Sequence, residues 1–180
     1  MSEIAFIGLG SNLGEREKIL SSALALLADS SKIELVSTSS FYETAPVLDN
    51  PDGSVTNQPD YLNAACQVKT DLPVQFLLAR LLEIEKQCGR ERKNHEHGSR
   101  TLDLDLLIYG ETICKTAVLS VPHPRLHNRA FVLYPLMEIA PDLVVPGKGA
   151  VKNLLAEVAE QNICKLTDIK SGMKTGVDTN

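Results

Sequence analysis

Asp103 and Asp105 flank a single leucine in the run Arg100-Thr101-Leu102-Asp103-Leu104-Asp105-Leu106-Leu107. On a strand, residues i and i+2 point to one face about 6.6–6.8 Å apart. Both carboxylates then project side by side, and Leu104 and Leu106 fill the opposite face. Neighbouring carboxylates repel. A divalent cation offsets that repulsion, and hard oxygen donors with phosphate as co-ligand are what Mg²⁺ prefers. Two ions about 3.5–4 Å apart can share such a pair. The competing reading is a charged strand edge that discourages aggregation, although this strand is otherwise too apolar for a solvated edge.

Two further sets of residues lie close by in sequence. Around the helix expected after Pro73, with Val74 as origin and 100° per residue, Glu85 falls at about 20°, in the middle of the stripe formed by Leu77, Leu78, Leu81 and Leu82. A carboxylate on a core face needs a partner or ligand, unless the last turn has already left the core; both readings stay open. Arg90, Arg92, Lys93 and Arg100 sit on a loop that feeds the Asp103 strand. Arginine forks match phosphate oxygens, whereas the plain alternative is solvated charge. Cations converging on carboxylates is the arrangement phosphoryl transfer uses. His95, His97, His123 and His127 have no firm helix to set zinc geometry. Tyr61 and Phe131 are two of eight aromatic residues, and by themselves read more readily as core than as a ligand platform.

The elements that must position these groups can be read from periodicity. Residues 4–9 form a β-rich run that ends in the turn Gly8-Leu9-Gly10-Ser11-Asn12-Leu13-Gly14. Residues 15–28 carry a helical stripe at 19, 20, 23, 24 and 27. A strand is expected over 33–42, a long irregular loop over 47–59, and a strand over 62–70. A helix runs from Pro73 to about residue 87 and closes near Gly89. A basic loop covers 88–100, followed by a strand over 102–109. A helix capped by Asn128 is expected over 128–139, with Pro135 inside and Pro141 as a stop. A short helix over 151–160 and an edge strand over 164–169 complete the pattern. The order is βαββαβ followed by helices, a split-βαβ pattern. It predicts an α+β fold with a ferredoxin-like βαββαβ core, an antiparallel sheet and extra C-terminal helices. The glycine run reads G-x-G-x-x-x-G, with its third glycine one place late for a dinucleotide fingerprint. Residues 1–170 read as one domain, and 171–180, which lack an apolar pattern, as a disordered tail.

Composition narrows the function classes. The 180 residues are 43% apolar and 23% charged, within the globular range. No apolar run approaches the roughly 20 residues of a membrane span. The N-terminus has no basic region ahead of apolar residues, so no signal peptide is expected. Four cysteines without a CxxC pair read as reduced thiols. The net charge of −5 argues against a nucleic-acid surface. Yet residues 86–100 hold five Lys or Arg against two Glu, a local +3 suited to an anionic small molecule.

Several ordered blocks together resemble one family. They are the glycine run at 8–14, Phe41-Tyr42-Glu43-Thr44-Ala45-Pro46-Val47, Gln58-Pro59-Asp60-Tyr61-Leu62-Asn63-Ala64-Ala65, Gly98-Ser99-Arg100-Thr101-Leu102-Asp103-Leu104-Asp105, and Val121-Pro122-His123-Pro124-Arg125 with Asn128-Arg129-Ala130-Phe131. In this order, over about residues 4–146, they resemble the 6-hydroxymethyl-7,8-dihydropterin pyrophosphokinases of folate biosynthesis. The resemblance implies a monomeric cytoplasmic enzyme that moves pyrophosphate from MgATP to the pterin hydroxymethyl group and releases AMP, with no nucleic-acid or membrane partner. It implies that Asp103 and Asp105 hold two Mg²⁺ ions. Tyr61 and Phe131 would sandwich the pterin, and Asn63 with Thr44, Pro46 and Val47 would read its edge. Glu85, Arg92, Lys93, Arg100, Leu106, Ser120, His123 and Arg129 would contact ATP, and Arg90 and Arg92 would serve the transition state.

This chain departs from the family pattern in places. It has His97-Gly98-Ser99-Arg100 where members often carry Trp before Gly-Pro-Arg, Glu96 in place of a basic residue, and Val118 where some members place a phosphate-contacting Arg. The 47–57 loop is longer than in the shortest members. These departures bear on lid closure and on one ATP contact. A metal-dependent phosphohydrolase using the same two aspartates is the rival enzyme, distinguished by turnover without pterin. A ferredoxin-like RNA-binding module would want exposed aromatics and positive charge.

Overall fold

The small and apolar residues of EIAFIGLGS suit β1 (Glu3–Ser11) to an interior place in the sheet, with a strand on each side. The computed structural model describes residues 2–46, 58–89 and 100–166. After β1 come α1 (Arg16–Ala28), β2 (Ile33–Thr38), β3 (Tyr42–Thr44), β4 (Tyr61–Thr70), α2 (Val74–Gln87) and β5 (Asp103–Tyr109). The short β6 (Cys114–Lys115) and β7 (Ser120–Val121) pair with each other. A 3₁₀ turn (Leu126–Asn128) leads to α3 (Ala130–Ile139), and β8 (Val144–Val145) pairs with β9 (Gly149–Ala150). The described residues end with α4 (Val151–Glu157) and β10 (Cys164–Lys165).

The main sheet runs β10-β3-β4-β1-β5, with β2 also on β4, and every pairing is antiparallel. Counting β2 and β3 as one interrupted strand, this is the expected split-βαβ topology. One face carries Ala5, Ile7, Leu9, Ala64, Cys66, Leu104 and Leu106 and packs with the buried faces of α1 (Leu20, Ala23, Leu27) and α2 (Leu77, Leu81, Ile84). The other face carries Phe6, Ala65, Leu107 and Ile108 under α3 and α4, whose buried side chains include Leu133, Leu136, Val151 and Leu154. Each Leu, Ile, Val or Phe side chain among them removed from water contributes roughly 1.5–3 kcal/mol. The second core covers only part of its face, and the remainder forms the floor of the site.

Several boundaries differ from expectation for identifiable reasons. The strand expected over 33–42 is two strands, β2 and β3. Between them Ser39 uses its hydroxyl to accept the Ala65 N–H (3.0 Å) while its own N–H reaches the Ala65 carbonyl (2.9 Å). Its register on β4 also shifts between Leu35 and Ser37. Asn128 does not cap α3; the helix starts at Ala130 after an extended Arg129. There Gln161 accepts the Ala130 N–H (2.9 Å) and donates to the Asn128 carbonyl (2.8 Å), so the cap comes from more than thirty residues away. The end of α2 is as expected: Gly89 takes a positive φ of 82°, a left-handed conformation that glycine adopts without steric cost. The last helix stops at Glu157. Among the described residues, no helix is long and apolar enough to cross a membrane.

Candidate active site

The period-2 geometry of β5 places Asp103 and Asp105 on the partly open face, with Leu104 and Leu106 buried on the other. Across the ladder, Gly10 pairs with Asp103 and Gly8 with Asp105. On the next strand Asn63 lies opposite Gly10, and beyond it Tyr42 lies opposite Asn63. One row across the sheet therefore reads Asp103, Gly10, Asn63, Tyr42. The two glycines leave the floor bare between the carboxylates and the amide.

Above this floor is a cleft of about 490 Å³ lined by Thr44, Pro46, Tyr61, Asn63, Arg129 and Phe131, among others. A second cleft of about 300 Å³ is lined by Leu78, Leu82, Glu85, Leu106, Val118 and Ser120. Arg100, Asp103, Asp105, His123 and Pro124 line both. The two carboxylates thus form a shared wall between two chambers.

Electrostatics at that wall are unbalanced. Burial, and next the Asp103 charge, push the Asp105 carboxyl up to about 6, against the pull of Arg129 and Arg100. Asp103 accepts a hydrogen bond from Arg100 Nη1 at 2.6 Å. Burial works against the Arg100 charge, but the Asp103 partner outweighs it and raises the guanidinium pKa. Burial, then Arg129 and Arg125, push His123 down to about 4, so its ring is neutral at physiological pH. Its Nδ1 accepts the Arg125 N–H at 3.2 Å, which leaves the ring proton on Nε2 as a donor.

Glu85 is buried, 2% exposed, and its Oε1 accepts the Leu104 N–H at 2.8 Å. The helix has therefore not left the core at that turn, and α2 is tied to the strand between the two aspartates. Asn63 is also buried and donates to Thr44 Oγ1 at 2.9 Å. Arg129 lies 5.4 Å from the centre of the Phe131 ring, a cation–π distance.

Of the residues singled out in the sequence, Thr44, Pro46, Tyr61, Asn63, Arg129 and Phe131 meet in the larger cleft, and Glu85, Leu106 and Ser120 in the smaller. Arg100, His123 and both aspartates join the two. Val47, Arg90, Arg92 and Lys93 lie outside the described residues, as do Glu96, His97 and the 171–180 tail. Sequence reasoning passed over Asn12, which sits buried at the rim. Asn12 Nδ2 donates to the Pro59 carbonyl (3.2 Å) and to Gln58 Oε1 (3.3 Å), and Asn12 Oδ1 accepts the Arg100 N–H (2.7 Å). Its only local signal was a place within the glycine run.

The model of the 7,8-dihydro-6-hydroxymethylpterin-pyrophosphokinase family matches residues 6–141, a span that contains every described residue of the shared wall. The chain belongs to this family. A 2-amino-4-hydroxy-6-hydroxymethyldihydropteridine pyrophosphokinase of Haemophilus influenzae is 41% identical over 162 residues, which is 90% of this chain and 97% of the relative. Its Bacillus subtilis counterpart is 42% identical over 139 residues, covering 77% and 79%. A crystal structure of Plasmodium falciparum HPPK-DHPS, wild type with pteroate, matches with a TM-score of 0.68 at 14% identity, over 89% of this chain and 43% of that longer one. At that identity the likeness speaks to the fold, which is ferredoxin-like α+β as expected. The protein is a pyrophosphokinase of folate biosynthesis, and its family uses ATP as co-substrate. For a pyrophosphokinase, which must bring a nucleotide and an acceptor together at one phosphorus, two chambers with a common wall are an economical layout.

Proposed function

We propose that the larger cleft takes 6-hydroxymethyl-7,8-dihydropterin, the smaller takes ATP, and the β,γ-pyrophosphoryl group crosses at the wall of Asp103 and Asp105. The pterin ring would lie between Tyr61 and Phe131, whose faces suit a flat heterocycle, with its edge read by Asn63, Thr44, Pro46 and Val47. Glu85, Leu106, Ser120, His123, Arg92, Lys93, Arg100 and Arg129 serve the nucleotide and its phosphates, and Arg90 and Arg92 the transition state. The hydroxymethyl oxygen forms a bond to the β-phosphorus. The bond from that phosphorus to the α,β-bridging oxygen breaks, AMP leaves with the bridging oxygen, and the hydroxyl proton is released.

Asp103 and Asp105 fit Mg²⁺. They are hard carboxylate donors on one face, and burial, with the neighbouring Asp103 charge next, pushes the Asp105 carboxyl up to about 6, a cost a cation would offset. One or two carboxylates completed by substrate phosphates is the usual Mg²⁺ site. Two ions held there would supply charge neutralisation for the phosphates. Around them Arg100 is fixed by Asp103, and neutral His123 lines both chambers. Both chambers are lined by residues of this chain, and we assign the action to a monomer. We assign that action to one domain over residues 1–170 working in the cytoplasm.

The shared wall carries this reading, and a product assay tests it. With purified protein, AMP and not ADP is expected from ATP only when both the pterin and Mg²⁺ are present. Asp103→Asn and Phe131→Ala should lower turnover and pterin affinity respectively. ADP as product, or nucleotide release indifferent to pterin, overturns it.

A further inference from the structure

Tyr42 and Glu138 line neither cleft, yet they hold α3, which carries Phe131, to β3, which carries Thr44. The Glu138 carboxylate accepts four hydrogen bonds: from Tyr42 Oη (2.7 Å), Ser40 Oγ (2.8 Å), Lys165 Nζ (3.1 Å) and the Ser40 N–H (3.2 Å). An ionised carboxylate suits this role, since it offers about four acceptor sites and no donor. Burial pushes the Glu138 carboxyl up, but the Tyr42, Ser40 and Lys165 bonds outweigh that and hold it below its ordinary value.

The geometry extends from there to the cleft. Phe131 and Glu138 are seven residues apart on α3, so they share a face about 10.5 Å apart along the axis. Tyr42 and Thr44 are two apart on β3 and share its inward side, where both are buried. Tyr42 meets Glu138 at one end of this α3–β3 seam, and Thr44 and Phe131 line the cleft at the other. On its far edge β3 is fixed to β4 by its ladder and by Asn63, whose amide donates to Thr44 Oγ1 and to the Tyr42 carbonyl (3.4 Å). The Tyr42–Glu138 bond, with the two Ser40 bonds beside it, ties α3 to the β3 edge of the slot.

We propose that Glu138, acting through Tyr42, is a positioning residue that sets the width of the pterin slot while touching neither substrate. The proposal rests on the reading that Phe131 and Thr44 bind the pterin. A misplacement of about 1 Å caused from a distance can cost about a hundredfold, so a smaller shift of one face of the slot should appear in one substrate's constants.

The test is steady-state kinetics on the full chain with Tyr42→Phe, Glu138→Gln and the double variant. Tyr42→Phe removes one hydroxyl from a packed ring and gives the cleaner result. We expect the pterin KM to rise about tenfold in each single variant, with the ATP KM within twofold, and the double variant no worse than the poorer single one. A role in fold stability alone would lower Tm and the active fraction, hence apparent kcat, and leave both KM values in place; that result overturns the proposal. Equal rises in both KM values overturn it as well. Phe131→Ala in the same assay isolates the underlying reading: an unmoved pterin KM there removes the slot itself. A pterin KM raised by Phe131→Ala but unmoved by Tyr42→Phe removes only the role of Glu138.

Discussion

Asn12 and Arg100 hold each other in both directions: the Arg100 N–H donates to Asn12 Oδ1 at 2.7 Å, and the Asn12 N–H donates to the Arg100 carbonyl at 3.1 Å. The same Asn12 amide donates to the Pro59 carbonyl and Gln58 Oε1, and Gln58 Oε1 also accepts a bond from the Tyr61 hydroxyl at 3.4 Å. One buried carboxamide thereby connects a wall of the pterin cleft to the arginine that grips Asp103.

Asn12→Ala should therefore lower stability by about 1–3 kcal/mol, the cost of leaving buried polar groups unpaired. Unlike substitutions at Tyr42, it should raise the KM of both substrates. Asn12→Asp keeps an acceptor for the Arg100 N–H but turns an oxygen toward the Pro59 carbonyl and Gln58 Oε1, and should fare no better. Urea midpoints together with both KM values check this.

Asp105→Asn should separate stability from activity. A carboxyl raised to about 6 by burial and Asp103 adds most to stability below its ordinary value of about 3.9, and that contribution is lost as pH rises through about 6. In metal-free protein at pH 7.5, Asp105→Asn should gain roughly 1–3 kcal/mol and flatten the stability profile between pH 4 and 7. Turnover should fall at least about a hundredfold. Thermal melts across pH and AMP formation are the measurements.

Glu138 has the opposite sign. Its carboxyl is held below the ordinary value, so its contribution is present above about 4.3 and is lost as pH falls through the folded value. Glu138→Gln should cost about 1–2 kcal/mol at pH 7, and the gap to the unsubstituted protein should narrow as the pH drops below about 4. Denaturant melts of both proteins at pH 7 and pH 3 check the direction.

Glu85 serves the backbone as well as the cleft. Glu85→Ala leaves the Leu104 N–H without its acceptor and should cost about 1–3 kcal/mol. Glu85→Gln retains an oxygen for that N–H, so it should melt near the unsubstituted protein while raising the ATP KM. Parallel melts and kinetics on the two variants separate the tasks.

What the sequence made legible follows from the range of each interaction. The side-by-side aspartates follow from a period of two, and the inward face of Glu85 from 100° steps, both of which are local. That Glu85 accepts the Leu104 N–H was not legible, because the partner is nineteen residues away and is backbone. For the same reason Asn128 was read as a helix cap when Gln161 does that work. The residues 33–42 read as one strand because hydroxyl and β-branched side chains suit strands. The interruption comes from the Ser39 side chain bonding to β4, a contact with no sequence period. Tyr61 and Phe131 read as core by type alone, and only the ordered motifs moved them into the site. Asn12, Tyr42 and Glu138 act through partners 27 to 98 residues distant, beyond the reach of any periodic pattern.

The bare floor at Gly10 has a consequence for anyone breeding this protein for hardiness. A methyl group there would meet Asn63 Oδ1 at 3.4 Å and Tyr61 Cδ1 at 4.0 Å, ordinary contacts, and would firm the central strand by roughly 0.5–1 kcal/mol. The same methyl would stand between Asp103 and Asn63, in the space left for substrate. A heat-survival screen should pick alanine at position 10 early, and a growth screen without supplied folate should discard it.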